Sequence, residues 1–172
     1  MKKRILSLIL ALSMVLSVLP LGAFAADPPE LVMENGYPKD SDGGNNNCSG
    51  HGWVYMNKTL ILMSETYDFT YADPTTKKTK ANSAVKCPIE IQSSYVTITG
   101  GTFNATVDNG KLSSLGGTIS GGIFNGKVTN NSTIQNSTFK GGVTNDGTIS
   151  DSTFQNRYMV TNSGTITRGT FQ

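Results

Sequence analysis

Few residues of this 172-residue chain have side chains suited to chemistry. His51 is its one histidine, and Cys48 and Cys87 are its two cysteines. Cys48-Ser49-Gly50-His51 has the spacing of a metal-ligand pair. A zinc site needs a second pair to close its tetrahedron, and the sequence offers none. A serine or cysteine nucleophile needs a base oriented by an acid, yet His51 has no evident partner acid and no Gly-x-Ser-x-Gly elbow occurs. Asp40-Ser41-Asp42 lies beside Asn45, Asn46 and Asn47, a gathering of oxygens that a hard cation would favour. Counted from Asp40, however, the fifth position of a calcium loop is Gly44 and the twelfth is His51 rather than glutamate, so a solvated turn is expected instead. No metal and no cofactor is expected.

Paired carboxylates for sugar chemistry have to be sought against the elements that would position them, and those elements repeat. From Thr97 to Gln172 one phrase recurs five times: Thr-Ile, a phenylalanine five residues after the isoleucine, then Val-x-Asn. The isoleucines are Ile98, Ile119, Ile134, Ile149 and Ile166, and the phenylalanines are Phe103, Phe124, Phe139, Phe154 and Phe171. Valine follows phenylalanine by four at Val107, Val128 and Val143, and by six at Val160. Asn109, Asn130, Asn145 and Asn162 each stand two residues past a valine. Ile119 to Ile134 and Ile134 to Ile149 each span 15; Ile149 to Ile166 spans 17, and Ile98 to Ile119 spans 21 through an insertion around Leu112 and Leu115.

Such a period marks units stacked one on the next. Alternation of period two, as in Val96-Thr97-Ile98-Thr99, and a wealth of Thr, Ile, Val and Phe broken by Gly, Asn and Ser make each unit a set of short strands rather than helices. The expected fold is all-β: a parallel β-helix, or β-solenoid, of about 15-residue coils, with right-handed crossovers as the rule for parallel strands. Like residues then stack about 4.8 Å apart. Isoleucine, phenylalanine and valine fill the interior, and asparagines form a fourth column that bonds to backbone and to the amides above and below.

The asparagine column resembles the ladder of right-handed parallel β-helices of the pectate-lyase-like fold. Ile98-Thr99-Gly100-Gly101-Thr102-Phe103 and Thr148-Ile149-Ser150-Asp151-Ser152-Thr153-Phe154 look like the Gly-Thr-Phe repeats of surface proteins from Gram-positive gut bacteria. The resemblance covers the second half of the chain and implies an architecture. Lyases and hydrolases of that architecture carry acidic clusters, joined in the lyases by arginine or lysine, on one solenoid face. Aligned on the repeat, Asp108 follows a valine, Asp146 follows an asparagine, and Asp151 stands two past an isoleucine between Asn136 and Arg168. No column holds two acids in this alignment, although Asp146 and Asp151 lie five apart in one coil. Asp151 and Arg168 are expected to pair across coils.

Hydroxyls do align. Thr97, Thr118, Thr133, Thr148 and Thr165 precede the isoleucines, and Thr99, Ser120, Gln135, Ser150 and Thr167 follow them. This outward ribbon suits a flat face for glycan, or for ice as in Thr-x-Thr solenoid antifreezes, and equally a strand residue that keeps a solenoid soluble. Gln135 interrupts the flatness that ice requires.

In chain order, Lys2, Lys3 and Arg4, the apolar run Ile5 to Leu19 and the small-x-small Ala23-Phe24-Ala25 read as a secretory signal over residues 1–25. The run is shorter than the roughly 20 residues of a membrane span. Export to a secreted or cell-surface location follows. Three of the fourteen basic residues leave with the signal, so eleven face twelve acidic ones and the formal charge drops from +2 to −1. That leaves no electrostatic case for nucleic acid as a partner. Residues 26–51 read as a Pro-, Gly- and Asn-rich leader. Residues 52–84 read as an N-terminal cap, in which two runs turn at Asn57-Lys58 before an exposed loop from Thr66 to Asn82. The solenoid is expected over 85–172, with Val85, Cys87, Ile89 and Ile91 inward. Cys48 and Cys87 leave two readings open, a bridge in an exported protein or two unrelated thiols. Because Gln172 follows an inward phenylalanine with no Val-x-Asn after it, the coils are expected to continue beyond it, and an open end to self-associate. The function expected is a structural or adhesive surface module that binds polysaccharide or a cell surface weakly and catalyses nothing; a fragment of a β-helical polysaccharide lyase or glycoside hydrolase is the alternative.

Overall fold

The structure is a computed structural model that describes residues 31–70, 80–81, 84–110, 115–155 and 160–172. The signal segment 1–25 and the inserted Leu112 lie outside the described residues. Among the described residues nineteen strands make the fold, and no helix is long and apolar enough to cross a membrane.

Before the clean repeat come β1 (Val32–Glu34), β2 (Tyr37–Pro38), β3 (Cys48–Gly50), β4 (Trp53–Met56), β5 (Thr59–Leu62), β6 (Thr66–Phe69), β7 (Lys80–Ala81) and β8 (Ile89–Ile91). The repeat itself supplies β9 (Thr97–Phe103), β10 (Val107–Asn109), β11 (Thr118–Phe124), β12 (Val128–Asn130), β13 (Thr133–Phe139) and β14 (Val143–Asn145). Its last coils supply β15 (Thr148–Ser150), β16 (Thr153–Phe154), β17 (Val160–Asn162), β18 (Thr165–Thr167) and β19 (Thr170–Phe171). Every Val-x-Asn is a strand of one sheet, ordered β17-β14-β12-β10-β8-β5-β4-β3, and the Thr-Ile to Thr-Phe segments build a second, ordered β18-β15-β13-β11-β9-β6. From β5 onward the first sheet is parallel, and so is the second, in the register read from the sequence: Ile119 pairs with Ile98 and Ile134, Phe124 with Phe103 and Phe139, and Asn130 with Asn109 and Asn145. The chain is a parallel β-solenoid.

Parity explains what lies inside. Ile98, Ile119, Ile134, Ile149, Phe103, Phe124, Phe139, Phe154, Val107, Val128 and Val143 are all buried. Phe103, Phe124, Phe139, Phe154 and Phe171 stack as offset rings with centroids 4.7 to 5.4 Å apart. That spacing is the strand spacing, so one aromatic per coil at a fixed position must form a continuous pile. The asparagines are interior too. Asn109, Asn130 and Asn145 are fully buried, and each Nδ2 donates to the next Oδ1, at 2.9 Å from Asn109 to Asn130, 2.7 Å from Asn130 to Asn145 and 2.6 Å from Asn145 to Asn162. Each Nδ2 also reaches a backbone carbonyl at the following corner, Gly117, Ser132, Gly147 or Gly164. The ladder starts abruptly. Asn109 pairs in register with Ile91, and its Oδ1 is buried without a hydrogen-bond donor.

The corners between coils leave no room for side chains. A Cβ built on Gly126 would stand 2.1 Å from the carbonyl oxygen of Ala105, and one on Gly141 would stand 2.1 Å from that of Gly126. Glycine recurs there because adjacent coils touch backbone to backbone.

Upstream, the structure departs from the sequence reading. The segment read as a leader forms β1, β2, a short 3₁₀ turn at Lys39–Ser41 and β3, with Leu31 and Met33 in the core. The segment read as an exposed loop opens with a core strand: β6 pairs in parallel with β9, and Tyr67 and Phe69 are buried, Phe69 packing edge-on against Phe103. Solenoid winding therefore begins at β5 and β6 rather than at Val85. Composition hid this because Thr66-Tyr67-Asp68-Phe69 sits next to a polar stretch. The hairpin β4–β5 turns at Asn57 and Lys58, both with positive φ, as expected, and β3 extends it on the sheet edge.

Candidate functional site

Five outward threonines form the ribbon. Thr97, Thr118, Thr133, Thr148 and Thr165 pair in register across β9, β11, β13, β15 and β18. Their neighbours Ser120, Gln135, Ser150 and Thr167 also align, and Gln135 Nε2 reaches across to Ser120 Oγ at 3.1 Å. A second outward column, unremarked in the sequence, runs before the phenylalanines: Thr102, Ile123, Thr138, Thr153 and Thr170.

Between these two columns each coil bends, and the bend has two forms. In β13 and the coils after it, Asn136, Asp151 and Arg168 occupy the left-handed region with φ of 50 to 53 degrees and carry side chains at the corner. Behind them Ser137 and Ser152 turn inward, the Ser137 amide donating to Ser152 Oγ at 3.2 Å. In β9 and β11 the same register positions are Gly100-Gly101 and Gly121-Gly122. Glycine puts no side chain at the corner: at Gly100 and Gly101 a Cβ would stand 2.7 Å from Thr70 and 2.5 Å from Phe69, and an open groove of about 580 Å³ lies alongside, lined by Thr99, Thr102, Ile123, Asn136 and Thr138 over the glycines. The cue in the sequence was the Gly-Gly pair in the first two copies, which becomes Asn-Ser, Asp-Ser and Arg-Gly afterwards.

The titratable groups are arranged elsewhere. Asp151 and Arg168 pair across coils as expected: Arg168 Nη2 donates to Asp151 Oδ2 at 2.6 Å and its Nε to Oδ1. Hydrogen bonding from Arg168 holds the Asp151 carboxyl below the ordinary carboxylate range and raises the guanidinium in turn. Asp146 stands at the other end of β15, exposed, and does not join this pair. The view that no column holds two acids needs correction. One rung above the repeat, Glu90 of β8 pairs in register with Asp108 of β10, so two carboxylates neighbour each other on the outward face of the Val-x-Asn sheet. The Ile89-Glu90-Ile91 triplet had simply not been aligned with Val107-Asp108-Asn109.

His51 does have a partner acid, contrary to the sequence reading. Its Nδ1 lies 3.1 Å from Glu65 Oε1, joining the turn before β4 to the bend before β6. Tyr67 donates to the Gly52 carbonyl at 2.9 Å, and burial, with Glu65 nearby, pushes its hydroxyl pKa up. Both cysteines are free thiols, Cys87 buried and Cys48 half-buried. Burial, aided by Asp40, raises Cys48 to about 11, and burial raises Cys87 to about 12. Such thiols are protonated at neutral pH and poor nucleophiles. The turn at Asp40 to Asn47 is held by its own backbone: the amides of Gly44, Asn45 and Asn46 all converge on the Ser41 carbonyl. Among the described residues no group of three or more His, Cys, Asp or Glu is placed to hold a metal ion. Comparison of the chain with protein-family models, with curated proteins and with solved structures gives no match, so the reading of the site rests on its own geometry.

Proposed function

We propose that this is an exported, surface-displayed β-solenoid module that adheres to polysaccharide or to a cell surface without catalysis. The observation that supports the reading best is the pair of outward hydroxyl columns held in strict strand register along a rigid, filled core. Hydroxyls repeated at about 4.8 Å present many weak, equivalent hydrogen-bonding positions, which gain strength when several molecules bind one polymer. The apolar run of residues 5–19 between Lys2, Lys3, Arg4 and Ala23-Phe24-Ala25 supports export.

The test is incubation of the chain from Ala26 onward with pectin, xylan, mucin glycans and bacterial wall polysaccharide, following pull-down and the release of unsaturated or reducing ends together. Retention without release is expected. One observation favours a second reading, a β-helical lyase or hydrolase: the adjacent carboxylates of Glu90 and Asp108. Release of chain ends that disappears in Glu90→Gln or Asp108→Asn would replace the adhesive reading with the enzymatic one.

A further inference from the structure

We infer that the glycine-floored groove, rather than the threonine ribbon, is where a ligand seats, and that the ligand is an uncharged glycan chain lying along the solenoid axis. This rests on the adhesive reading above and specifies its site and ligand class. Three features carry it. First, the groove is a local departure from an otherwise uniform repeat. The bends at Gly100-Gly101 and Gly121-Gly122 open it, and the next coil narrows it with Asn136. Gly101, Gly121 and Gly122 hold φ of +136, +113 and +133 degrees, backbone that side chains rarely adopt, so the bare floor is built into the chain.

Second, its lining is mixed and neutral. Thr99, Thr102 and Thr138 contribute hydroxyls, Asn136 a carboxamide, and Ile123 an exposed aliphatic surface; none of the described lining residues is charged. Along the axis Thr102, Ile123 and Thr138 follow one another in register, so donor-acceptor groups flank an apolar step. Sugar rings present the matching alternation of hydroxyl edges and C–H faces. Among the described residues that line the groove there is no cation for an acidic polymer to meet. The charged corner pair, Asp151 with Arg168, is already mutually satisfied and lies in the coils beyond Asn136. Third, the groove crosses strands from β6 to β13. Four strands about 4.8 Å apart give a trough of about 14 Å, long enough for several linked rings and longer than a single sugar needs.

The experiment is affinity electrophoresis of the chain from Ala26 onward in gels containing xyloglucan or galactomannan as neutral probes, and polygalacturonate or hyaluronate as acidic ones. The decisive variant is Gly121→Asn with Gly122→Ser. It gives β11 the residues that β13 carries at the same register positions, an asparagine at the outward corner beside the groove and a serine turned inward behind it. Thr99→Trp, at an exposed position on the groove wall, is a second and independent block should the bend exchange fail to fold. Thr161→Ala, exposed on the other sheet, is the control. Retardation by a neutral probe that falls about tenfold or more in both groove variants and stays unchanged in Thr161→Ala is the expected result. Equal or greater loss in Thr148→Val, on the ribbon, would overturn the groove while leaving the adhesive reading intact. Retardation by the acidic probes alone would overturn the neutral class. Absence of retardation with every probe, even with the protein displayed densely on beads, would remove the inference and the adhesive reading together.

Discussion

At the scale of single residues, the inward columns differ from one another in what they contribute. Phe139 is fully buried between Phe124 and Phe154, with ring centroids 5.4 and 5.0 Å away. Phe139→Ala should therefore cost about 3 to 5 kcal/mol through the cavity it leaves. Thr138→Ala, on the outward side of the same strand, should cost little. Asn145→Ala should fall between them at about 1 to 3 kcal/mol, because it strands the Asn130 amide and the Asn162 oxygen. Urea unfolding of the three variants measures this, and equal losses for Phe139→Ala and Thr138→Ala would contradict the inward assignment. The thiols lead to a pH effect. Cys48 and Cys87 are raised above their ordinary 9.0, to about 11 and about 12. The unfolded chain releases these protons first, so the stability they contribute is complete below about pH 9 and lost as pH rises through 11 and 12. Cys87→Ala should flatten that alkaline fall in a series of thermal melts, and an unchanged slope would argue against it.

At the scale of elements, coils are joined by corners whose clearance is set by backbone. Gly141→Ala would drive a Cβ to within 2.1 Å of the Gly126 carbonyl oxygen and 2.5 Å of its carbon. Neither is the movable end of a side chain, so the coil must shift and β12 to β14 pairing loosens. A loss of about 1 to 3 kcal/mol is expected from such overpacking, read as a lower urea midpoint. Gly43→Ala makes the comparison informative: nothing lies within 4 Å of its Cβ, and only its φ of +65 degrees resists. A Gly141→Ala protein as stable as the parent would show that the corners are looser than the structure has them.

At the scale of the whole molecule, a solenoid is close to one-dimensional, and each coil is as stable as its neighbours make it. The middle coils are covered on both sides. Among the described residues the coil of β17, β18 and β19 has a neighbour on one side, and there Val160 and Ile166 are only partly buried while Phe171 is 58 % exposed. Amides of β11 and β13 should thus exchange with deuterium slowest, and those of β17 to β19 fastest. Uniform protection from β11 to β19 would mean that a further chain or segment covers that end, the association anticipated for an open sheet edge.

Much of the fold was legible in the sequence because each coil's partners lie about 15 residues away at fixed positions. The Ile, Phe, Val and Asn columns, the strand register, the Asp151–Arg168 pair and the Asn57-Lys58 turn all follow from local spacing and parity, which stacking simply repeats. Tertiary structure decided what falls outside that period. Glu90 beside Asp108, His51 against Glu65, and β6 beneath β9 depend on how many residues the irregular first coils consume, and no repeat counts those out. The groove belongs to the same class: the glycine pairs are visible as letters, but a missing side chain becomes a space only when the neighbouring coils bring Thr70, Ile123 and Asn136 around it.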